Sequence, residues 1–177
     1  MKQISPAVRK LNVGCGLDLK KDFLNIDILP PYDMKVDLSR KPYPFNDDSF
    51  DYIYMYNVLE HIKDPILCLE ELHRICSPKG TIKIIVPFYN SPNAYRDMTH
   101  CNFFNLDSFN DFDIENKERR YEISKIRFKV GKKLHPSPLG KWIPGPLLNI
   151  VALSFGNIAA AITFELQPVK DANPSRQ

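Results

Sequence analysis

A glycine turn near the start of the chain constrains the fold most strongly. The segment Leu11-Asn12-Val13-Gly14-Cys15-Gly16 has the pattern of a short buried strand and a turn, and a second apolar segment then reaches Asp27. Glycine lacks a Cβ and tolerates positive φ, so a ligand can approach the main chain of such a turn closely. A carboxylate at the end of the next strand can accept two hydrogen bonds from a ribose diol. The pattern therefore predicts a strand, a tight turn and a second strand that together hold an adenosine.

A dinucleotide cofactor is the alternative for this turn. A dinucleotide fingerprint has a third glycine three residues after the second, where it lets a helix pack close to the strand and meet a pyrophosphate. Leu19 occupies that position here, and the adjacent Asp18 would repel a diphosphate. The turn therefore favours a cofactor that has no phosphate and carries a sulfonium cation. It argues against a nicotinamide-dependent dehydrogenase.

Further motifs follow the turn in order along the chain. They are Val36-Asp37-Leu38, the run Pro42–Asp51, and Tyr52–Ile62, which ends in Val58-Leu59-Glu60-His61-Ile62. With these motifs the chain resembles the class I S-adenosylmethionine-dependent methyltransferases, the type 11 group in particular, over about residues 10–87. A weaker similarity continues over 97–104. The resemblance implies S-adenosyl-L-methionine as the cofactor and methyl transfer as the reaction.

Apolar runs with strand and helix patterns alternate along the chain. Such alternation predicts an α/β fold with a doubly wound, mostly parallel sheet. The resemblance extends this to a seven-stranded Rossmann-like sheet with an antiparallel last strand. The length of the chain predicts a single domain over 1–170, and the terminal residues 171–177 are expected to form a disordered tail. The predicted strands are 10–13, 23–28, 34–37, 50–56, 81–86, 121–130 and 162–169; helices are predicted at 65–76 and 146–161, a short one from 107–111, and a proline-rich loop at 135–146.

The first crossover of this sheet is shorter than the resemblance implies. Ten residues separate Gly16 from Asp27. A crossover between parallel strands takes at least ~10–12 residues when its helix is included. We therefore expect a turn in place of the helix, which leaves one side of the cofactor pocket less covered. Asn12 also stands where many relatives carry an acidic residue.

The resemblance implies eight cofactor-binding residues near the ends of the first strands. The glycine turn would pass beneath the methionine moiety, and Asp27 would bind the ribose hydroxyls. Ile28 would pack on the adenine or ribose, while Asp37 and Leu38 would meet the adenine by a hydrogen bond and by packing. The plainer alternatives are a simple turn, solvated carboxylates, core packing of Ile28, and a helix N-cap at Asn57, which would otherwise face the methionine moiety. The predicted set is Gly14, Cys15, Gly16, Asp27, Ile28, Asp37, Leu38 and Asn57.

Two histidines are the predicted catalytic acid–base groups. Histidine titrates near neutral pH, so His61 or His100 could take a proton from an acceptor hydroxyl. His61 follows Asn57 by about one helical turn, and His100 follows the fifth strand on a loop. The structural alternatives are a hydrogen bond from His61 to the following loop and a bond between His100 and Asp97. An amine or thiolate acceptor needs no base, so the use of a base depends on the acceptor.

Cysteine and histidine spacing predicts no metal site. The four cysteines form no Cys-x-x-Cys pair, which is typical of buried thiols in a reducing, cytoplasmic compartment. His100 lies next to Cys101, but no second ligand pair stands at zinc spacing. Met1 begins a polar segment without an apolar signal core, which agrees with a cytoplasmic location. The cysteines are Cys15, Cys68, Cys76 and Cys101.

Positive charge is concentrated in the second half of the chain. The net charge is only +3, yet no Asp or Glu occurs from Ile123 to Phe164, where lysine or arginine stands at 125, 127, 129, 132, 133 and 141. With Trp142 and the apolar run 147–161, this segment predicts peripheral membrane contact through 125–161, or an anionic acceptor. The alternative is a solvated strand beside a core helix. The absence of interleaved aromatic residues argues against nucleic acid as a partner.

These observations predict a methyltransferase that acts on a small-molecule, sugar or lipid-linked acceptor by in-line displacement. The alternative is a methyltransferase-fold partner subunit that binds the cofactor without catalysis, which the compact size and the lean acceptor region suggest. The sequence leaves the attacking atom and the oligomeric state open.

Overall fold

Seven strands form one sheet in the computed structural model, which describes residues 9–113 and 126–170. The strands are β1 (Lys10–Val13), β2 (Leu24–Asp27), β3 (Met34–Lys35), β4 (Phe50–Tyr56), β5 (Cys76–Pro87), β6 (Arg127–Pro136) and β7 (Ala159–Val169). Their order across the sheet is β3-β2-β1-β4-β5-β7-β6. The first five strands are parallel, whereas β7 is antiparallel to both of its neighbours. The predicted α/β class, with a mostly parallel Rossmann-like sheet and an antiparallel last strand, is confirmed.

Helices flank this sheet. The α-helices of the described residues are α1 (Pro65–Ile75), α2 (Pro92–Tyr95) and α3 (Gly145–Ser154), and 3₁₀ helices cover Leu59–His61, Asn110–Phe112 and Gly140–Trp142. The central strands are buried, as strands between helical layers should be: Ile53, Met55, Ile82 and Ile84 have no exposed surface. No helix in 9–113 or 126–170 is long and apolar enough to cross a bilayer.

The helix α1 forms where the sequence predicts it. The Asp64 carboxylate accepts a hydrogen bond from the Leu67 amide and caps the helix, while Pro65 occupies the first turn. Both choices suit a helix N-terminus because the first amides lack partners within the helix. Leu69, Leu72 and Ile75 share a buried face of the helix. The helix therefore fixes the connection between β4 and β5. The candidate site lies at the carboxyl ends of these two strands.

Buried asparagines replace a helix in the first crossover. Asn12 donates to the Asp18 carbonyl at 2.8 Å and to the Asn25 side chain at 2.9 Å. Asn25 in turn accepts from the Lys20 amide and donates to Asp33. These bonds satisfy the backbone of the short loop, and no helix occurs anywhere between β1 and β2, all of which is described. The predicted turn in place of a helix is confirmed, and Asn12 has a structural reason to differ from an acidic residue.

Several predicted boundaries are wrong. β5 begins at Cys76, not at Thr81, because Pro78-Lys79-Gly80 forms an irregularity inside the strand between the pairings of Cys76 and Thr81 with β4. A Cβ at Gly80 would approach the Cys76 sulfur to 2.7 Å. The second strand is trimmed from 23–28 to 24–27, and the third from 34–37 to 34–35. The short helix expected from 107–111 is the 3₁₀ turn at 110–112.

The second half contains the larger corrections. The helix predicted over 146–161 ends at Ser154 because the chain turns at Gly156-Asn157, where Asn157 has φ +61°. Residues 159–161 belong to β7 instead. The strand predicted over 121–130 is β6, which runs to Pro136 and so takes the start of the predicted proline-rich loop. The part of that prediction before residue 126 and the predicted tail over 171–177 lie outside the described residues.

The four cysteines are unpaired, as predicted, but one is exposed. Cys15, Cys68 and Cys76 are buried, whereas Cys101 is on the surface. The Cys101 amide donates to the Glu60 carbonyl at 2.9 Å, which holds its segment against the turn after β4. The prediction that all four thiols are buried is therefore wrong for Cys101.

Candidate functional site

Two cavities lie side by side at the carboxyl ends of the parallel strands. The first, which we call the turn cavity, has a volume of about 610 Å³. It contains seven of the eight predicted cofactor-binding residues, all except Cys15. Its lining residues are Gly14, Gly16, Asp27, Ile28, Val36, Asp37, Leu38, Ser39, Asn57, Val58, His61, Ile62 and Lys63.

The exception, Cys15, faces away from the turn cavity. Its side chain is 5% exposed, and its thiol lies 3.4 Å from the Pro31 carbonyl oxygen. Its amide donates to the Ile26 carbonyl at 3.0 Å and so extends the pairing of β1 with β2. Cys15 therefore supports the turn through its main chain, and the structure does not bring its side chain into the site.

Glycine is required at the first turn position for two reasons. Gly14 has φ +62°, and a Cβ there would lie 2.4 Å from a methyl carbon of Val58. Gly16 also has positive φ, but nothing lies within 4 Å of the position of its Cβ. The close approach of Val58 to Gly14 joins the turn after β1 to the segment after β4, and both line the cavity.

Asp27 is fixed by the backbone and keeps capacity for a ligand. One carboxylate oxygen accepts from the Gly16 amide at 2.9 Å, and the other accepts from the Leu29 amide at 3.0 Å. A carboxylate offers about four acceptor sites, so one site on each oxygen is left for a pair of hydroxyls. This arrangement suits a ribose diol, and the binding role of Asp27 stays a prediction.

Three further residues line the opposite wall of the turn cavity. Ile28 is 48% exposed, so the alternative that it packs in the core is wrong. Leu38 is buried against the cavity, with its side chain 8% exposed. Asp37 accepts hydrogen bonds from the Ser39 amide and hydroxyl, and these bonds hold the pKa of its carboxyl below the usual value. Asp37 thus lines the cavity together with the apolar side chains of Ile28 and Leu38, and their contact with an adenine stays a prediction.

Asn57 lines both cavities at the end of β4. Its φ is +53°, a conformation that asparagine adopts more readily than most residues. Its amide donates to the Ile85 carbonyl at 2.9 Å. The N-cap of the following 3₁₀ helix is Val58 and no side chain caps it, so the N-cap alternative for Asn57 is wrong.

The second cavity, which we call the histidine cavity, has a volume of about 560 Å³. It brings the two predicted catalytic histidines together, with the centres of the His61 and His100 rings 4.7 Å apart. His61 also lines the turn cavity, so the two cavities share Asn57 and His61 as lining residues. The lining residues are Tyr56, Asn57, Glu60, His61, Pro87, Asn93, Arg96, Asp97, His100, Ala160 and Ala161.

Each histidine is held through its Nδ1 atom. His61 Nδ1 lies 2.8 Å from the Thr99 hydroxyl, which itself donates to Asp97 at 2.7 Å. His100 Nδ1 lies 2.8 Å from the Ala94 carbonyl oxygen, and so must donate to it. The ring of His100 therefore does not bond to Asp97, although the His100 amide donates to the Asp97 carbonyl at 3.3 Å. Both orientations leave Nε2 for a ligand.

Glu60 is the functional candidate that sequence reasoning missed. Its side chain is 1% exposed, and neither carboxylate oxygen has a hydrogen-bond partner among the described residues. Burial raises the pKa of Glu60 to about 7, while its own backbone amide and, to a smaller extent, the nearby His100 act in the opposite direction. An unpaired buried acid is costly, and such groups concentrate at functional sites. The signal that could have identified it in the sequence is the position of Glu60 next to His61 in the motif Val58–Ile62.

The segment predicted to contact a membrane carries an exposed apolar surface. Only Leu148 and Ala152 of α3 are buried, and Trp142 in the preceding 3₁₀ helix is 91% exposed. The alternative of a core helix is therefore wrong for most of α3. The exposed apolar residues, which we call the α3 surface, are Leu139, Trp142, Leu147, Ile150, Leu153 and Phe155. Residue 125 lies outside the described residues.

Comparison with known proteins supports the same interpretation. The family model of the methyltransferase domain matches residues 15–84. A solved S-adenosylmethionine-dependent methyltransferase from Archaeoglobus fulgidus superposes with a TM-score of 0.62 at 15% identity, over 92% of this chain and 88% of that one. The predicted resemblance to the class I methyltransferases is confirmed. The family model and the fold also support S-adenosylmethionine as the cofactor of this methyltransferase domain.

Two further proteins are similar to this chain, and neither similarity identifies an acceptor. A putative methyltransferase of Haloferax volcanii, solved in complex with the Trm112 methyltransferase activator, has a TM-score of 0.55 at 15% identity and covers 97% of this chain and 86% of that chain. An uncharacterized protein of Methanocaldococcus jannaschii is 30% identical over 120 residues, which cover 60% of this chain and 48% of that protein. The chain thus spans about half the length of this curated relative.

Proposed function

We propose that this protein transfers a methyl group from S-adenosylmethionine to a small-molecule, sugar or lipid-linked acceptor by in-line displacement. The observation that carries the proposal is that the turn cavity and the histidine cavity lie next to each other and share Asn57 and His61 as lining residues. A methyl donor in the first cavity would present its reactive carbon to an acceptor in the second. Alignment of this kind supplies much of the acceleration that such a displacement needs.

The chain's own residues would divide the work between binding and activation. The main chain at Gly14 and Gly16 would pass beneath the methionine moiety, Asp27 would bind the ribose, and Ile28, Asp37 and Leu38 would enclose the adenine. When bound, the sulfonium supplies an activated methyl group: a bond forms from the acceptor to the methyl carbon, and the carbon–sulfur bond breaks with its electron pair left on sulfur. His61 and His100 are the groups placed to deal with the proton that a hydroxyl acceptor loses.

The first test is calorimetric titration with S-adenosylmethionine and S-adenosylhomocysteine, with NADH as the negative ligand. We expect binding of the two adenosyl ligands only. Asp27→Ala should weaken that binding by on the order of 1–3 kcal/mol through lost hydrogen bonds. Asp27→Asn is needed beside it, because Ala also leaves the Gly16 and Leu29 amides without their acceptor.

A matched control is Asp18→Ala, on the same loop. The Asp18 carboxylate pairs with Lys20 and does not line the turn cavity. We expect wild-type affinity in this variant. Full affinity in both Asp27 variants would show that Asp27 does not bind the ribose. Tight binding of NADH would show that the cavity holds a dinucleotide and not the methyl donor.

We also propose that the α3 surface contacts an anionic membrane, which would give access to a lipid-linked acceptor. Its charge favours this occupant, because residues 126–164 contain no acidic side chain while Lys132, Lys133 and Lys141 are exposed. Cationic attraction and insertion of aromatic and aliphatic side chains act together in interfacial binding. The contact would be peripheral.

Vesicle sedimentation tests this contact. The wild type should bind vesicles of phosphatidylserine and phosphatidylcholine but not of phosphatidylcholine alone, and Trp142→Ser should reduce the bound fraction strongly. Leu17→Ser is the matched control, since Leu17 is a comparably exposed apolar residue at 89% on the turn after β1. Equal loss in both variants, or no binding to anionic vesicles, would contradict membrane contact; dimerisation through Trp142 would assign the α3 surface to a protein partner.

The non-catalytic alternative rests on a different observation. One structural neighbour, the putative methyltransferase of Haloferax volcanii, was solved in complex with the Trm112 methyltransferase activator, so a domain of this fold can be part of an assembly. Turnover distinguishes the two proposals. Release of S-adenosylhomocysteine by the isolated protein with any acceptor favours the enzyme, whereas tight cofactor binding without turnover favours the partner subunit.

A further inference from the structure

Three side chains of the histidine cavity form a cluster suited to a metal ion. One donor atom each from Glu60, His61 and His100 lies within 4.8 Å of the other two. Ligand bonds of ~2.0–2.2 Å place two donors of one ion at most about 4.4 Å apart, so a small rotation of these side chains would close the set. We propose that Glu60, His61 and His100 bind a single divalent transition-metal cation.

The unpartnered carboxylate is the strongest reason for this proposal. Glu60 is almost completely buried, lines the cavity, and has no hydrogen-bond partner for either oxygen in the described residues. A buried carboxylate is rarely retained without a cation or a set of donors. The groups that share its cavity include two imidazoles, the side chain that most commonly binds metal ions.

The histidines are oriented as metal ligands usually are. Each donates Nδ1–H to a protein oxygen, His61 to the Thr99 hydroxyl and His100 to the Ala94 carbonyl. Because Thr99 Oγ1 donates its own hydrogen to Asp97, it must accept from His61. These bonds fix the tautomer that leaves a lone pair on Nε2. Hydrogen bonds of this kind orient histidine ligands in metal sites.

The main chain holds the two ligand-bearing segments together. The Glu60 carbonyl accepts from the Cys101 and Asn102 amides at 2.9 and 3.2 Å. The Asn102 side chain donates to the Ile62 carbonyl at 2.7 Å. Residues 60–61 and 100 are therefore fixed relative to each other although 39 positions of sequence separate His61 from His100. This long separation explains why ligand spacing along the chain predicts no metal site.

The donor set defines the class of ion and its use. Two imidazoles and one carboxylate suit Mn²⁺, Fe²⁺, Co²⁺ or Zn²⁺ rather than Ca²⁺ or Mg²⁺. Three protein ligands leave coordination positions open toward the cavity, which is typical of catalytic sites. On the proposed function, an acceptor hydroxyl would occupy an open position, where the cation would lower its pKa so that its proton passes to solvent and the oxygen can attack the methyl carbon. The ion would then replace a histidine base.

The test is binding of Co²⁺ to chelator-treated, tag-free protein, followed by visible absorption and calorimetry. We expect one equivalent to bind and to give the absorption bands of cobalt in a nitrogen and oxygen site. Glu60→Gln and His100→Gln should each weaken binding at least 10-fold. Thr99→Val, which removes only the partner of His61 Nδ1, should weaken it by roughly 10-fold.

Two controls keep the result interpretable. His135→Gln should bind Co²⁺ as the wild type does, because His135 lies on β6 and bonds to Thr163. Titration of every variant with S-adenosylhomocysteine checks folding and tests the proposed function separately. Cobalt binding without cofactor binding would refute only the proposed function. Absence of stoichiometric cobalt binding in protein that binds the cofactor, or unchanged affinity in Glu60→Gln, would refute the metal site.

Discussion

The turn cavity and the histidine cavity meet at shared residues but are built in different ways. The turn cavity is framed by a main chain that neighbouring side chains hold in place: Asp27 accepts hydrogen bonds from two amides, and Asn25 accepts one from the Lys20 amide of the short crossover. The histidine cavity is framed by side chains from two distant segments, and its Glu60 carboxylate is left unpaired in the described residues. The turn cavity is therefore organised before any ligand binds. In the histidine cavity, the Glu60 carboxylate still has no cation or hydrogen-bond donor beside it in the described residues.

This difference assigns different kinds of specificity to the two halves of the site. A cavity that is shaped by turns and backbone amides recognises one cofactor through a fixed outline. A cavity that is lined by ionisable side chains, including Glu60, Asp97 and Arg96, can be adapted to another acceptor by a few substitutions. Cofactor binding should therefore depend on the short crossover, and acceptor chemistry on the contact between segments 59–62 and 97–102.

The largest expected effect is on stability, from removal of the asparagine that replaces the crossover helix. Asn25→Ala takes away bonds to Asn12, Lys20 and Asp33 in a buried setting. We expect a loss of about 3 kcal/mol or more in the free energy of unfolding, because several polar groups lose partners at once. Urea unfolding monitored by circular dichroism measures it.

Asn102→Ala is the matched change in the segments that form the histidine cavity. Asn102 also joins two segments by its side-chain amide, but it is only partly buried and its main-chain bond to Glu60 is unaffected. We expect a loss of about 1 kcal/mol. Equal losses in the two asparagine variants would contradict the distinction between a preorganised half and an adaptable half.

The next largest effect concerns the glycine turn. Gly14→Ala combines a strained positive φ with a contact of 2.4 Å to Val58, which together should cost about 2–4 kcal/mol. We expect loss of S-adenosylhomocysteine binding as well as lower stability. Gly16→Ala carries the same backbone strain in open space, so its cost should be about 1 kcal/mol. Calorimetry on both variants should show the larger defect at Gly14, and the reverse order would place the ligand at Gly16.

The sequence predicts the residues of the turn cavity far better than those of the histidine cavity. Gly14 and Asp27 are placed by two adjacent parallel strands, so a local pattern is sufficient. The direction of the Cys15 side chain is not evident from the local pattern, because the turn between two glycines directs its thiol toward the Pro31 carbonyl. Glu60 lies inside a recognised motif, yet its burial depends on residues 97–102, and no local pattern reports that contact.

The same limit explains the errors in the second half. The apolar run after Pro146 predicts a helix to residue 161, since Ala159, Ala160 and Ala161 are good helix formers. Pairing with β5 and β6 assigns these alanines to β7 instead. Tertiary pairing therefore outweighs local propensity, and the turn at Asn157 marks the change.

A pH dependence, smaller than the effects expected at Asn25 and Gly14, arises from the unpaired acid of the histidine cavity. Burial raises the pKa of Glu60 to about 7, whereas an unfolded chain has a glutamate pKa of about 4.3. Between these values the folded protein keeps a proton that the unfolded chain releases, so the free energy of unfolding falls as the pH rises. In chelator-treated protein, Glu60→Gln should remove a decline of roughly 1–3 kcal/mol between pH 4.5 and about 8. Glu165→Gln, an exposed glutamate on β7 that pairs with Lys83, should retain the decline. The same slope in wild type and Glu60→Gln would show that this carboxylate already has a partner, and the two halves of the site would then no longer differ in how they satisfy their polar groups.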